Sequence, residues 1–114
     1  MEEIFLDLKN KINIARSKGV EKIITDPGIG FGKTQKDNFE IIKRVDELHS
    51  LGCPIMLGIS RKSLLGMSNE DNYVKDIYTL ALNAVAIEHR VDYLRVHNVI
   101  LHKKLLDLLE NFEK

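Results

Sequence analysis

Hydrophobic residues recur at helical spacing in four segments of this chain, with shorter segments rich in apolar residues between them. Intervals of three and four residues predict helices around 4–17, 34–51, 74–87 and 101–112. Thr34 and Asp37 form a capping box that starts the second helix, and Gly19 and Gly52 end the first and the second. The segment Val74–Ile87 is apolar on several sides, which predicts neighbours on more than one face. The other stripes expected to face a core are Ile4, Phe5, Leu8, Ile12 and Ala15; Ile41, Ile42, Val45 and Leu48; and Leu101, Leu105, Leu108 and Phe112.

The apolar runs between these helices predict three β-strands. They span Val20–Asp26, Cys53–Ile59 and Val91–Val96, and the continuously apolar stretch Pro54–Leu57 is typical of a strand that is covered on both faces. The resulting order, α-β-α-β-α-β-α, implies a parallel sheet with right-handed crossovers. Two architectures fit this α/β pattern, a small open sheet and a sector of a (β/α)8 barrel. In both of them ligands bind at the carboxyl ends of the strands.

Polar residues of the kind that bind ligands follow each predicted strand directly. The three segments read D-P-G-I-G-F-G-K-T at 26–34, G-I-S-R-K-S at 58–63 and R-V-H-N at 95–98. Asp26 and Ser60 are 34 residues apart and Ser60 and His97 are 37 apart, roughly the length of one βα unit. We therefore expect the three segments to converge at one edge of the sheet.

The glycine-rich loop after the first strand is open to several interpretations. Its end, G-K-T at 32–34, is similar to a phosphate-binding P-loop, but the position that needs the first glycine is Pro27, which has no N–H. Asp26 either caps the Asp-Pro turn or accepts two parallel hydrogen bonds from a guanidine-like heterocycle. Phe31 either folds back onto the rim of the domain or offers its face to a ligand ring.

Arg95 and His97 are candidates for binding an anion. Arg95 alternates with apolar neighbours in the third strand, and a cation inside a parallel strand needs an ionic partner or a bound anion. His97 lies two residues further on and shares its face. Metal-ligand spacing, a Ser-His-Asp set and paired carboxylates are all absent from the sequence, so we expect chemistry based on orientation and charge stabilisation. The remaining histidines are assigned to helix surfaces without a role: His49, His89 and His102.

Composition and charge narrow the class of protein. The 114 residues predict a single domain over 1–114, and its 17 basic and 17 acidic residues balance, which argues against nucleic acid or an anionic membrane as a partner. The sequence has neither a signal-peptide pattern nor an apolar run of membrane-spanning length. Cys53 is the single cysteine, which we interpret as a buried core thiol in a protein of the reducing cytoplasm.

The three polar segments, in this order and spacing, resemble the carboxy-terminal half of the dihydropteroate synthase family, a group of pterin-binding TIM barrels. The resemblance covers nearly the whole chain and implies that it contributes strands six to eight of the barrel with their flanking helices. Members of the family condense hydroxymethyl-dihydropterin pyrophosphate with p-aminobenzoate, which gives dihydropteroate and pyrophosphate in folate synthesis. The chain departs from the usual pattern in the Lys75–Thr79 region, at Arg90 and at Asn98.

The resemblance implies a role for individual residues. Asp26 would bind the amino-pyrimidine edge of the pterin, and Lys62 would contact the same ring system. Arg95 and His97 would hold the departing pyrophosphate, and with Lys62 they form the implied catalytic set. The other implied substrate contacts are Phe31 and Ser63 on p-aminobenzoate, and Gly58 and Arg61 at the same edge.

A complete barrel of this kind takes about 250 residues, so the resemblance implies that an amino-terminal half is missing. The family's magnesium-linked asparagine would lie in that half, and we expect this chain to bind no metal by itself. A recombinant domain, a split gene product and a truncated reading frame would each explain the length. The functional hypotheses are a synthase half that is inactive alone, a non-catalytic pterin- or pyrophosphate-binding module, a structural fragment that self-associates, and a pterin-dependent methyltransferase domain. Unpaired strand edges favour a homodimer.

Overall fold

Helices and short parallel strands alternate along the part of the chain that the structure describes. The computed structural model describes residues 1–30, 34–62 and 70–113. Its elements are α1 (Glu2–Ser17), α2 (Gln35–Lys43), a 3₁₀ helix (Val45–Leu51), β1 (Met56–Leu57), α3 (Asn72–Glu88), β2 (Tyr93–Leu94) and α4 (Val99–Glu113). None of the helices in these ranges has the length and apolar character needed to cross a membrane.

The predicted α/β alternation is confirmed, but the predicted strands are too long. Strands β1 and β2 pair in parallel through Met56 with Tyr93 and Leu57 with Leu94. The first predicted strand is reduced to one parallel bridge between Thr25 and Ile55, so the prediction of three full parallel strands is wrong. The reason is that a ladder needs a hydrogen-bonded neighbour, and only Thr25 of that run obtains one, from Pro54 and Met56.

Local sequence signals define the helix ends as expected. The Thr34 side chain accepts a hydrogen bond from the Asp37 N–H and the Asp37 side chain accepts one from the Thr34 N–H, which completes the predicted capping box of α2. The following 3₁₀ helix ends at Gly52, whose φ of 81° lies in the left-handed region. Helix α1 ends at Ser17, just before Gly19, which also has a positive φ. The predicted capping box and glycine ends are confirmed, but the predicted second helix, 34–51, is divided into α2 and the separate 3₁₀ helix.

The core lies between the strands, α2 and the 3₁₀ helix. Its buried apolar members are Ile29, Ile41, Ile42, Val45, Leu48, Ile55, Leu57, Ile59 and Ala86. The inner face of α1 adds partly buried side chains to this cluster. Cys53 is buried too, as predicted, and the Arg16 guanidinium points a donor at its sulfur. The core thus supports both strands and the chain segment that leads into the glycine-rich loop.

Helix α3 has the predicted extent but not the predicted burial. Its buried face consists of Asp76, Thr79, Asn83 and Ala86, whereas Tyr73, Ile77, Tyr78 and Val85 are exposed. Asp76 and Thr79 are tolerated there because their side chains have hydrogen-bond partners in a neighbouring segment or in the helix backbone. The Asn83 amide nitrogen contacts His102, whereas its Oδ1 is buried without a hydrogen-bond partner among the described residues. The prediction of an apolar helix covered on several sides is therefore wrong for the described residues.

Helix α4 departs from its prediction in the same way. Leu108 and Phe112, expected on the core stripe, are 66% and 86% exposed. His102, expected on the surface, is the buried residue of this helix, and its two ring nitrogens contact Asn98 and Asn83. An imidazole with both nitrogens satisfied can replace an apolar side chain at a helix contact, which the apolar periodicity alone does not reveal.

Candidate active site

Asp26 stands at the carboxyl end of the first chain segment of the sheet, directly after the Thr25 bridge. One carboxylate oxygen, Oδ1, accepts a hydrogen bond of 2.8 Å from the Gly28 N–H and so closes the Asp-Pro-Gly turn. The other, Oδ2, lies 3.8 Å from the Arg95 guanidinium. The turn-capping interpretation of Asp26 is confirmed. The side chain is partly exposed and its Oδ2 faces the exposed guanidinium of Arg95, so it is accessible to a ligand. The ligand-binding interpretation stays a prediction.

Arg95 reaches Asp26 by crossing the middle strand segment at Gly58. It leaves the end of β2, and its N–H donates to the Leu57 carbonyl oxygen. A Cβ on Gly58 would lie 2.5 Å from Nη2 of Arg95 and 3.0 Å from its Cζ and Nε. The guanidinium therefore passes directly over Gly58, and any side chain at that position would displace it. Arg95 has the ionic partner predicted for it, although its side chain is 60% exposed and not enclosed.

Ser60 and His97 join the loops that follow β1 and β2. The Ser60 Oγ lies 2.7 Å from Nδ1 of His97 and accepts a 3.1 Å hydrogen bond from the His97 N–H. Ser60 is buried, whereas the His97 residue is exposed. The predicted convergence of these two strand ends is confirmed by this double contact.

Arg61 is held by a carboxylate on α3. Its Nε and Nη2 donate to the two oxygens of Asp76 at 2.8 and 3.0 Å, which is the bidentate geometry favoured by a guanidinium. These bonds, with a weaker one from Asn98, lower the pKa of the Asp76 carboxyl and raise that of the Arg61 guanidinium. Arg61 also has a positive φ of 57°, uncommon for a side chain with a Cβ. Its implied contact with substrate stays a prediction, while its observed contact is with the scaffold.

Asp76 is a site-supporting residue that the sequence analysis missed. It couples the loop after β1 to the loop after β2, because it binds Arg61 and Asn98 together. Asn98 in turn accepts from the Leu101 N–H at the start of α4. The signal was present as a polar series at helical spacing, Asp76, Thr79 and Asn83, inside an otherwise apolar helix.

Lys62 spans from the loop after β1 to the glycine-rich loop. Its ammonium donates to the Ile29 carbonyl oxygen at 2.6 Å, and the next N–H in that loop, from Gly30, is bound by Oδ1 of Asn38. Asn38 is fully buried on α2, so it anchors the loop from beneath. Two predicted site residues, Phe31 and Ser63, lie outside the described residues. Among the described residues, no cluster of three histidine, cysteine or acidic side chains could hold a metal ion.

The candidate site thus combines one carboxylate with three basic side chains that can donate hydrogen bonds, all along one edge. Asp26, Arg95, His97 and Lys62 all follow strand ends or the loop packed against them. A planar group with adjacent donors fits the carboxylate, and an oxyanion fits the donors. This arrangement is chemically suited to orienting a polar ligand and to stabilising negative charge, and its ligand-binding role stays a prediction.

Comparisons with known proteins agree with this geometry. A family model described as pterin binding enzyme matches residues 1–97. Dihydropteroate synthase from Clostridium beijerinckii is 44% identical over 104 residues, which are 88% of this chain and 39% of that protein. Dihydropteroate synthase from Staphylococcus epidermidis is 36% identical over 115 aligned residues, covering 96% of this chain and 42% of the relative.

Solved structures show the same similarity in three dimensions. Dihydropteroate synthase from Thermus thermophilus, in complex with 4-aminobenzoate, superposes with a TM-score of 0.91 at 33% identity, over 99% of this chain and 47% of that one. The enzyme from Xanthomonas albilineans in complex with 7,8-dihydropteroate gives 0.92 at 28% identity, over 98% and 44%. The chain spans less than half the length of these relatives. With the family model matched over most of its residues, this chain belongs to the pterin binding enzyme family.

Proposed function

We propose that this chain supplies the carboxy-terminal part of a dihydropteroate synthase barrel, corresponding to strands six to eight. The proposed reaction joins the amine of p-aminobenzoate to the methylene carbon of hydroxymethyl-dihydropterin pyrophosphate. A C–N bond forms, the C–O bond to pyrophosphate breaks, and the amine loses a proton to water. The named relatives and the high TM-scores support this proposal.

The observation that carries the proposal is the meeting of Asp26 and Arg95 across Gly58, next to the Ser60–His97 contact. Asp26 would accept two hydrogen bonds from the amino-pyrimidine edge of the pterin, because its side chain is partly exposed and each carboxylate oxygen can accept more than one hydrogen bond. Arg95 and His97 would stabilise the charge that develops on the departing pyrophosphate. Lys62, already bound to the Ile29 carbonyl of the glycine-rich loop, would contact the pterin ring.

The proposed site also has an end that would bind p-aminobenzoate. We assign Phe31 and Ser63 to it from the family resemblance, and both lie outside the described residues. One structural neighbour was solved in complex with 4-aminobenzoate and another with 7,8-dihydropteroate. These ligands define the chemical class that we propose for the substrates of the complete barrel.

The proposal requires an amino-terminal half that completes the barrel. Magnesium would be held by that half, where the resemblance places the family's magnesium-linked asparagine. A homodimer and a cytoplasmic location are also part of the proposal. The exposed apolar side chains of α3 and α4, such as Tyr73, Val99, Ile100 and Phe112, favour association. A methyltransferase function is less well supported, since methyl transfer releases no oxyanion for Arg95 and His97 to hold.

The test is calorimetric titration of the 114-residue chain with hydroxymethyl-dihydropterin pyrophosphate. Asp26→Ala should weaken binding by at least about tenfold, because hydrogen bonds to a charged group contribute about 1.5–3 kcal/mol each. The matched control is Asp7→Ala on α1. Among the described contacts the Asp7 carboxylate binds only the exposed Lys11, one helical turn away, so this substitution should leave ligand binding unchanged.

The same protein should form dihydropteroate far more slowly than a full-length synthase, because much of the transition-state environment is missing. Binding without turnover would also be the behaviour of a non-catalytic binding module. Adding an amino-terminal half from a relative distinguishes the two, since only the proposed synthase half should then gain activity. Equal binding by the wild type and Asp26→Ala would reject the proposed site.

A further inference from the structure

We propose that Ser60 sets the tautomer of His97, so that the neutral ring carries its hydrogen on Nε2 and presents a donor to a bound anion. The identity of that anion as pyrophosphate rests on the proposed function. The tautomer itself rests only on the hydrogen-bond geometry of the two loops. Ser60 acts through His97 and is therefore a positioning residue.

The first step is the direction of the hydrogen bond between Ser60 and His97. A serine hydroxyl has one hydrogen to donate and two lone pairs. The His97 N–H already donates to Oγ at 3.1 Å, and Nδ1 of the same residue lies 2.7 Å from Oγ. Within the described ranges, Nδ1 is the acceptor that the structure provides for the hydroxyl hydrogen. Nδ1 then accepts, and the ring proton of neutral His97 lies on Nε2.

His102 provides an internal contrast only five residues further along the chain. Its Nδ1 lies 2.9 Å from the Asn98 carbonyl oxygen, which can only accept, so Nδ1 must carry a hydrogen. Its Nε2 lies 2.8 Å from the Asn83 amide nitrogen, which can only donate, so Nε2 is the acceptor. The ring is buried and has both contacts satisfied. Two histidines of one chain are therefore expected in opposite tautomers.

The consequence for the site is a neutral donor beside a cation. His97 is exposed, and its Nε2 has no hydrogen-bond partner among the described residues. With the proton fixed there, the ring can bind an anion oxygen without first being protonated. Arg95, two residues earlier, supplies the positive charge. A ring with its proton on Nδ1 would instead turn a lone pair toward the same oxygen and repel it.

The experiment is a two-dimensional NMR spectrum that correlates the ring nitrogens of the ¹⁵N-labelled chain with its carbon-bound ring protons, in alkaline buffer where imidazoles are neutral. We expect His97 protonated at Nε2 with an accepting Nδ1, and His102 protonated at Nδ1. In Ser60→Ala, the His97 nitrogen shifts should move toward those of a water-exposed ring that exchanges between tautomers. Ser60→Thr keeps the hydroxyl and should restore the wild-type shifts.

The His102 signals report in the same spectrum whether each variant keeps its fold. The inference is overturned if wild-type His97 is protonated at Nδ1, or if Ser60→Ala leaves its nitrogen shifts unchanged while His102 also stays the same. If Ser60→Ala alters the His102 signals as well, the wild type is compared with Ser60→Thr instead. Changed His97 nitrogen shifts in Ser60→Thr, with unchanged His102 signals, would overturn the inference because that variant keeps the hydroxyl.

Titration with inorganic pyrophosphate separates this inference from the proposed function. We expect Ser60→Ala to bind it about fivefold more weakly, the size of one orienting hydrogen bond. A tautomer change without any pyrophosphate binding by the wild type would reject the proposed function and keep the role of Ser60. Equal binding by both proteins, with unchanged tautomers, would reject the role of Ser60 and keep the function.

Discussion

Substituting Gly58 by alanine tests whether a glycine is needed there for the path of Arg95 or for the fold. The added Cβ would lie 2.5 Å from Nη2 of Arg95, and an ordinary contact of at least 3.4 Å moves that nitrogen by about 0.9 Å. The displaced atoms are the far end of a flexible, 60% exposed side chain. Gly58 is also outside the left-handed region, so alanine fits its backbone. We therefore expect the guanidinium to move and the backbone to stay.

The expected magnitudes differ sharply between stability and binding. The free energy of unfolding should change by no more than about 1 kcal/mol, since the backbone is unstrained and the clash is relieved by a surface group. Pyrophosphate binding should weaken by about tenfold or more, because a charge-assisted hydrogen bond from Arg95 contributes about 1.5–3 kcal/mol. The assays are urea denaturation and calorimetric titration with inorganic pyrophosphate.

Gly52→Ala is the matched control, because it makes the same chemical change with the opposite expectation. Gly52 has a φ of 81°, and a Cβ there would have open space around it. Alanine should cost about 1 kcal/mol of stability through left-handed strain and leave pyrophosphate binding unchanged. If Gly58→Ala lost stability like a core substitution while keeping its affinity, the reasoning about Arg95 would be wrong.

Three further predictions concern the scaffold. Thr34→Ala removes the cap of α2 and should cost about 1 kcal/mol in urea denaturation; an unchanged midpoint would mean that the capping box is not stabilising. Leu48→Ala, at a fully buried position, should cost about 2–5 kcal/mol, whereas Phe112→Ala, at 86% exposure, should stay within about 0.5 kcal/mol. Because Arg61 lowers the pKa of Asp76, the stability advantage of wild type over Asp76→Asn should be full above about pH 4 and disappear only as the pH falls through the lowered value. An advantage that disappeared instead between about pH 5 and 7 in a pH series of unfolding curves would contradict the assigned ion pair.

Signals confined to a few neighbouring residues predicted structure well in this chain. The Thr34 capping box and the left-handed Gly52 each depend on local backbone geometry, and the structure has both. The convergence of Asp26, Ser60 and His97 at one edge also followed from the sequence, because parallel strands place their carboxyl ends together. These features need no knowledge of distant packing.

Features that depend on long-range partners were predicted poorly. The predicted length of the first strand was wrong because hydrogen bonding in a sheet depends on neighbouring strands. Val20 and Ile24 are about half exposed beside the single bridge at Thr25. The predicted buried faces of α3 and α4 were wrong because Asp76 and His102 are buried through hydrogen bonds to partners 15 and 19 residues away in the chain, which their own hydropathy does not reveal. A polar residue in helical register with a core face is the sequence sign that indicates such burial.

The strand ends that carry Asp26, Lys62 and His97 are proposed to form one site for pterin pyrophosphate. The most direct test is an NMR titration of the ¹⁵N-labelled chain with hydroxymethyl-dihydropterin pyrophosphate, which maps binding on every assigned amide. We expect the largest shifts at Gly28, Lys62 and His97, and no change at Leu51 and Gly52, which lie outside the site. Saturable shifts centred away from the three strand ends, or no saturable shifts at all, would contradict it.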